Sequence, residues 1–593
     1  MTAMLRAVWL VVATSVRVSP KQSAICLLET LGNFVNVLQP LFITWLVTGA
    51  VRHDRGQVIA AVIALIASRT VVLALMIVGN NARISQYEKV GFWFDTEVSR
   101  LTASISTLDH LETPDYLDQA QTLRDHQGLL GFAFNSVLNT LRMSVEAVGT
   151  LALAITADPR MLLVIAAGAP AVLSTRWTTR WQSAADDAAG EPSRRAKHLL
   201  TLATTPDPGA ETRVFGLQDW LGSATYRRTR DWLDLRVTLA RKQALLETAA
   251  SVFFFAAAAA VLAWMLHDTI TGSLPIGRFV LAASLVTQLQ SITNMLQWAV
   301  RNLVRVAKDG GRFLWLREYA TTAAARHTGT GTPPARLHRG IRIENLSYAY
   351  PGSDKPSLHE VTLDLPAGAV VAVVGENGAG KSTLVGVLTG MLRPTQGRIL
   401  VDGTDLEDLD QDRWRARTAG AFQDHARLEF RVQESIGVGD LRDLDSSTAV
   451  HTALREASAT DVLQALPAGL DTQLGPTWPD GVELSGGQWQ RLAIARGMMR
   501  EQPLLLVLDE PTAALDAGTE HALFERYAAA ARRTGGHGGV TLLVTHRFST
   551  VAAADLVVVL DRGTVAEVGT HAELYARGGH YAELYELQAR GYR

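Results

Sequence analysis

The sequence predicts a multidomain chain: an all-α half of six membrane-spanning helices, then an α/β half. Three observations carry this. Six apolar runs before residue 301 approach or exceed the roughly 20 residues a helix needs to cross a bilayer core. From Ile341 the pattern changes to short β-type runs alternating with helices. Charge divides at nearly the same place, with 30 Lys and Arg against 24 Asp and Glu up to residue 320, and 26 against 34 beyond it. A mildly basic, apolar half and an acidic, more polar half suit two different solvents.

Composition excludes several alternatives. Hydrophobic residues make up 48% and charged residues 19% of the 593, against about 25% charged in an average soluble domain. Disorder, fibrous repeats and a small secreted scaffold are therefore ruled out. A single cysteine, Cys26, allows neither an internal disulfide nor a cysteine-cluster metal site. A net charge of −2 gives no electrostatic reason to bind nucleic acid, and none is expected as a partner.

Met1–Pro20 has a short apolar patch interrupted by Arg6 and Arg17, so an amphipathic lead-in on the membrane is expected rather than a cleaved signal. Spans are expected near Ala24–Val51, Gln57–Asn80, Ser136–Ala157, Met161–Trp177, Thr248–His267 and Ile276–Val300. The short connections carry few basic residues. The two long ones, about 81–135 and 178–247, carry many, among them Arg194, Arg195, Arg227 and Arg228. The positive-inside bias therefore puts the long connections and both termini in the cytoplasm. Their helical periodicity and length predict membrane helices continuing well beyond the bilayer. Domains are expected at 1–320 and 341–593, joined by a Thr-, Gly- and Pro-rich linker at 321–340.

The second half opens its chemistry at Val370–Val374, a buried-strand pattern followed by Gly375, Glu376, Asn377, Gly378, Ala379, Gly380, Lys381, Ser382 and Thr383, after which a helix begins. Strand, glycine loop and helix in that order form a phosphate-binding P-loop. The glycines let backbone amides approach phosphate oxygens, and the helix N-terminus adds its positive dipole end. Lys381 is suited to the β- and γ-phosphates of ATP, and the Ser382 hydroxyl to Mg²⁺. Downstream, the apolar run Leu504–Leu508 ends in Asp509 and Glu510. A buried parallel strand delivers such groups at its C-terminal edge, Asp509 beside Mg²⁺ and Glu510 toward the attacking water.

Between these sites lie Leu484, Ser485, Gly486, Gly487 and Gln488, followed by Trp489-Gln-Arg491, which resemble the signature motif of ABC transporters. Other residues resemble family elements in order: Tyr350 the aromatic on adenine, Gln423 the glutamine that senses Mg²⁺ and the γ-phosphate, Asp516 the interface loop, and His546 the switch histidine. The whole chain resembles a half-transporter of the type I exporters (type IV fold). The resemblance implies an ATPase domain with a helical subdomain at 424–500, Mg²⁺ as cofactor, and catalysis by Glu510, His546 and Lys381. Ser382, Gln423 and Asp509 would hold the metal. It also implies a partner, since ATP lies between the P-loop of one chain and the signature of another; a second copy or a related half-transporter would serve. Leu111–Tyr116 and Ala210–Gly216 resemble the two coupling helices. Pro476 stands where the family carries glutamate, and Ala514 where serine is commoner.

The resemblance further implies a multi-pass protein of the bacterial inner membrane that exports an amphipathic small molecule, lipid or peptide. An importer of a metal–chelator complex can share the fold, and soluble ABC ATPases are opposed by the six spans. The last span carries Gln290, Thr293, Asn294 and Gln297 at helical spacing, a polar face suited to a water-accessible cavity or to helix–helix hydrogen bonds. Arg69, near the middle of the second span, must be paired or face such a cavity. Arg69, Gln290, Asn294 and Gln297 are thus the cargo candidates. Arg142 and Glu146, four residues apart, are placed to neutralise each other, with Glu146 an alternative partner for Arg69.

Overall fold

The computed structural model describes residues 2–205, 208–325, 329–510, 532–545 and 551–591. They fall into two compact units, Met1–Ser99 with Thr122–Trp315, and Arg100–Gln121 with Leu316–Arg593.

The first unit is helical: α1 (Thr2–Val18), α2 (Pro20–Gly32), α3 (Gln39–Val51), α4 (Arg55–Ala103), α5 (Pro114–Ala157), α6 (Met161–Thr204), α7 (Gly209–Val214), α8 (Gln218–Ile270) and α9 (Ile276–Ala325), with the inner end of α4, the start of α5 and the tail of α9 entering the second unit. Among the described residues, five stretches are long and apolar enough to cross a membrane, and a sixth, shorter apolar stretch covers Ile276–Ile292. At about 1.5 Å per residue, the 49 residues of α4 and the 53 of α8 run far past a bilayer core of about 30 Å. Ile59, Ile63, Ile66, Leu73 and Ile77 of α4 stay exposed, as expected of a surface meant for lipid.

The expected first span is not one helix. A 3-10 turn at Asn33–Leu38 separates α2 from α3. Pro40 has no amide to donate to the Asn36 carbonyl, and its ring crowds that turn. The side chains of Asn33, Asn36 and Gln39 bond in sequence there, with Gln39 Nε2 3.1 Å from Asn36 Oδ1. Buried polar groups beside the turn are satisfied across helices. Arg83 of α4 forms an ion pair with Glu29 of α2 and donates to Asn135 of α5 at 3.3 Å, while Gln86 donates to Ser23 at 2.7 Å. The apolar core joins Met161 and Val164 to Phe254, Val261, Met265 and Leu285.

The second unit is α/β. Its strands are β1 (Gly340–Tyr348), β2 (Leu358–Pro366), β3 (Val370–Val374), β4 (Gln396–Val401), β5 (Thr404–Asp405), β6 (Thr418–Ala421), β7 (Leu505–Asp509), β8 (Val540–Val544), β9 (Leu556–Asp561) and β10 (Thr564–Gly569). An antiparallel sheet runs β2-β1-β4-β5, and a six-stranded sheet runs β10-β9-β3-β8-β7-β6, parallel from β9 to β6. β7 and β8 are buried along their whole length, which is why they read as unbroken apolar runs. Helix α10 (Lys381–Leu388) follows β3, and α11 (Gln411–Ala416) precedes β6. A helical layer of α12 (Val432–Gly437), α13 (Ser447–Glu456), α14 (Thr460–Gln464) and α15 (Gly486–Gly497) packs Ile436, Leu454, Trp489 and Leu492 against Leu506 and Leu508.

Two boundaries differ from expectation. Helix α9 continues to Ala325, five residues into the expected linker, because Thr-Thr-Ala-Ala-Ala contains no breaker; Gly331 then pairs with Leu409. Arg100–Gln121 belongs to the α/β unit. There Leu108 donates its amide to Met391 O (2.8 Å), Tyr348 Oη donates to Asp109 Oδ1 (2.7 Å), and Arg415 donates to Ser106 O (2.9 Å). The segment expected as a short helix at Leu111–Tyr116 is a 3-10 turn, Asp109–Glu112, leading into α5.

Candidate functional site

The glycine loop joins β3 to α10 through backbone angles that other residues resist. Gly378 has φ +81° and Gly380 φ +99°. A Cβ on Gly380 would lie 2.7 Å from the Ser357 carbonyl oxygen, so only glycine fits. Lys381 is 7% exposed and donates from Nζ to the carbonyls of Gly375 and Glu376, both at 2.9 Å. Burial lowers its ammonium pKa, while the charges of Glu510 and Asp509 oppose that shift.

The loop opens into a cleft of about 820 Å³ lined by Tyr350, Gly375, Glu376, Asn377, Gly378, Gly380, Lys381, Ser382, Thr383, Gln423 and Glu510. The sequence-predicted residues of the P-loop, Tyr350, Gln423 and Glu510 thus meet in one place. Ala379 instead packs into the core beneath the loop. Tyr350 Oη lies 3.2 Å from Thr383 Oγ1, and its ring meets Tyr348 edge-on at 5.1 Å. Ser357, Val374 and Leu584 also line the cleft and were not anticipated. Nothing in the local sequence marks Ser357 or Leu584, which arrive from distant segments.

Asp509 closes β7, between β6 and β8. It is 6% exposed, and among the described residues its Oδ1 has no hydrogen-bond partner. Burial, reinforced by the charges of Glu510 and Asp424 and opposed by Lys381, pushes its carboxyl up to about 6. An unsatisfied buried carboxylate oxygen, with the Ser382 hydroxyl and the Gln423 amide on the adjoining cleft, is the all-oxygen donor chemistry that Mg²⁺ takes. Among the described residues no group of three His, Cys, Asp or Glu could hold a metal by itself, so these oxygens suit a cation that also binds phosphate. Next to it, Glu510 has φ +47°, its amide donates to Val544 O (2.9 Å), and its carbonyl accepts from Gln490 Nε2 at 3.1 Å.

The Leu484–Gln488 stretch forms the entry to α15. Ser485 Oγ accepts from the Gln488 amide (3.3 Å), and Gln488 Oε1 accepts from the Ser485 amide (2.8 Å), a reciprocal capping box. Leu484 is buried in the helical layer, whereas Ser485 and Gly486 are exposed. None of the five lines the cleft of its own chain.

Several predicted residues stand apart. Asp516, Ala514 and His546 lie outside the described residues. Gln290 of α9 donates to Ser251 of α8 at 3.0 Å, a bond between helices. Asn294 and Gln297 are on α9, with side chains outside those described. Arg69 is exposed on α4, and Glu146 is not its partner, being paired with Arg142 at 3.0 Å. Beside Pro476, Glu429 packs over Gly475 and accepts from Thr477 Oγ1 at 2.6 Å. A carboxylate therefore lies near the position where the family's glutamate is missing.

Residues 358–513 match the family model described as ABC transporter. Over 255 residues, 43% of this chain and 41% of the other, the sequence is 40% identical to an ATP-dependent lipid A-core flippase of Aromatoleum aromaticum. Over 419 residues, 70% of this chain and 65% of the other, it is 32% identical to an ATM1-type heavy metal exporter of Novosphingobium aromaticivorans. The matched part of the chain spans about half the length of the flippases it resembles, from 40% to 55%. The fold is similar, with a TM-score of 0.78 over 96% of this chain and 99% of the other, to the solved structure of a bacterial Atm1-family ABC exporter with ATP bound, at 24% identity.

Proposed function

We propose that this chain, an ABC exporter half-transporter by its ATPase domain and its fold, hydrolyses ATP to move an amphipathic cargo across a bilayer as one half of a dimer. One observation carries the reading: among the described residues the cleft gathers the P-loop, Tyr350, Gln423 and Glu510, while the signature loop of the same chain lines no part of it. A second copy supplies that loop. ATP then sits between Lys381 of one chain and the N-terminal end of α15 of the other, where exposed backbone amides meet the γ-phosphate.

Each residue has a role in that arrangement. The Tyr350 ring stacks on adenine, the loop amides from Gly375 to Thr383 cradle the phosphates, and Lys381 neutralises the β- and γ-oxygens. Ser382, Gln423 and Asp509 would hold Mg²⁺, which when bound would draw charge away from the γ-phosphate. Glu510 orients and polarises the attacking water, and the family resemblance assigns the γ-phosphate to His546 and the interface loop to Asp516, both outside the described residues. Hydrolysis removes the group that joins the two chains, so the dimer opens.

The segment Arg100–Gln121, hydrogen-bonded to the ATPase domain through Ser106, Leu108 and Asp109, transmits this motion to α4 and α5; α7 serves as the second coupling element. ATP binding shifts the population between two packings of the membrane helices and exposes a cavity to alternate sides. The protein is a multi-pass component of a bacterial inner membrane with both termini cytoplasmic, working as a homodimer.

Glu510→Gln is expected to lower turnover by about 10² or more and to trap an ATP-bound dimer visible by size-exclusion chromatography. Undiminished ATPase activity in that variant overturns the role of Glu510. ATP-dependent flux of labelled lipid into inside-out vesicles tests the direction.

A further inference from the structure

Gln490 follows the signature loop by two residues and is used by nothing described so far. It is 7% exposed, on the buried side of α15, and its Nε2 donates to the backbone carbonyl of Glu510 at 3.1 Å. Glu510 is held there at φ +47°, a left-handed conformation that residues other than glycine adopt reluctantly. Its amide is fixed from the other side by the Val544 carbonyl at 2.9 Å. Two hydrogen bonds to one peptide segment therefore set where the Glu510 side chain begins. One comes from the central sheet, the other from the helix that opens with the signature.

That helix is rigidly tied down. Ser485 and Gln488 cap its start, Arg491 donates to Asp461 at 2.7 Å, and Arg496 donates to Ser435 O at 2.8 Å. Ser485 and Gln490 are about 7.5 Å apart along the axis. A displacement of the signature end is thus carried to Gln490 with little loss. Resting on the assignment of Glu510 as the water-orienting residue, we infer that Gln490 is a positioning residue: it connects the signature loop, which meets the ATP held by the partner chain, to Glu510, which acts on the ATP held by its own chain. Each chain then senses nucleotide at one site and adjusts water activation at the other, through a single helix.

This geometry makes a distinctive demand. The signature acts in trans, whereas Gln490 acts in cis with Glu510. Gln490→Met keeps the side-chain volume and removes the donor, and Gln490→Glu replaces the donor with an acceptor facing the carbonyl. Both homodimeric variants, in nanodiscs, are expected to lose about tenfold in kcat while the Kd of a fluorescent ATP analogue and the thermal midpoint stay close to wild type. The decisive arrangement is a mixed dimer in which one chain carries Glu510→Gln, assayed by single-turnover hydrolysis of radiolabelled ATP. Gln490→Met placed in the chain with intact Glu510 should slow hydrolysis about tenfold; placed in the other chain, it should leave the rate within twofold. Equal losses in the two placements, or a loss only in the second, overturn the inference, as does a homodimeric Gln490→Met with wild-type kcat or with parallel loss of ATP affinity. If Glu510→Gln itself turns over normally, the role of Glu510 has failed; if it is inactive while Gln490→Met is fully active, only the present inference has.

Discussion

Replacing Asp509 by asparagine should stabilise the nucleotide-free ATPase domain at neutral pH while abolishing its response to Mg²⁺. The carboxyl is lifted from an ordinary 3.8 to about 6, first by burial and then by the charge of Glu510. A raised folded-state value means that folding favours the protonated form. This contribution to stability is complete below about 3.8 and is lost as pH rises through about 6. The difference corresponds to about 3 kcal/mol. Water entering the open cleft screens part of it, so about 1 to 2 kcal/mol is expected. Asparagine has the same shape and no charge, so the variant should melt about 2–6 °C higher than wild type near pH 7.5, by about half as much near pH 5, and together with it only below about pH 3.8. Scanning calorimetry of the full chain in nanodiscs, without nucleotide, measures both. ATP with Mg²⁺ should stabilise wild type beyond ATP with a chelator, and the variant equally in the two. A variant that melts below wild type at pH 7.5, or a gap between them that does not close on acidification, refutes the reasoning.

Two further outcomes test the loop and the docked segment. Gly380→Ala places a Cβ 2.7 Å from the Ser357 carbonyl at φ +99°, so affinity for a fluorescent ATP analogue should fall by about tenfold or more; unchanged binding would show that the loop relaxes freely. Tyr348→Phe removes the 2.7 Å hydrogen bond to Asp109; burial first, and then that carboxylate, push the tyrosine hydroxyl up. A double-mutant cycle with Asp109→Asn, followed by denaturation, should give a coupling of about 1 kcal/mol, and strict additivity would dismiss the contact.

Much of the site was legible because its chemistry is local. Gly375 to Thr383 are contiguous, and an apolar strand ending in Asp509 and Glu510 identifies its own edge. The long helices were legible because apolar periodicity continues through charged stretches. What escaped depended on distant partners. Arg100–Gln121 reads as the end of one helix and the start of another, and only the carbonyl of Met391 and the hydroxyl of Tyr348 show where it docks. Glu429, more than forty residues before Pro476, gives no hint of its position over Gly475. The interruption at Asn33–Leu38 carried a local signal in Pro40, but a proline in a membrane helix permits a kink as readily as a 3-10 turn. Gln490 was hidden by its neighbours, since a polar residue between Trp489 and Arg491 resembles ordinary helix surface until its burial is known.

The reciprocal hydrogen bonds of Ser485 and Gln488 bear on how fast two copies would come together in the proposed dimer. Those bonds close within one chain, so the signature loop needs no partner or nucleotide contact to satisfy its own turn. Encounter with a partner therefore orders no backbone on this side, and the entropy that a disordered loop would forfeit on docking is absent from the barrier. For this loop, closure of the proposed dimer is a question of alignment rather than of folding. Opening would likewise require no refolding of this loop, leaving the rhythm of the proposed dimer to the chemistry between its halves.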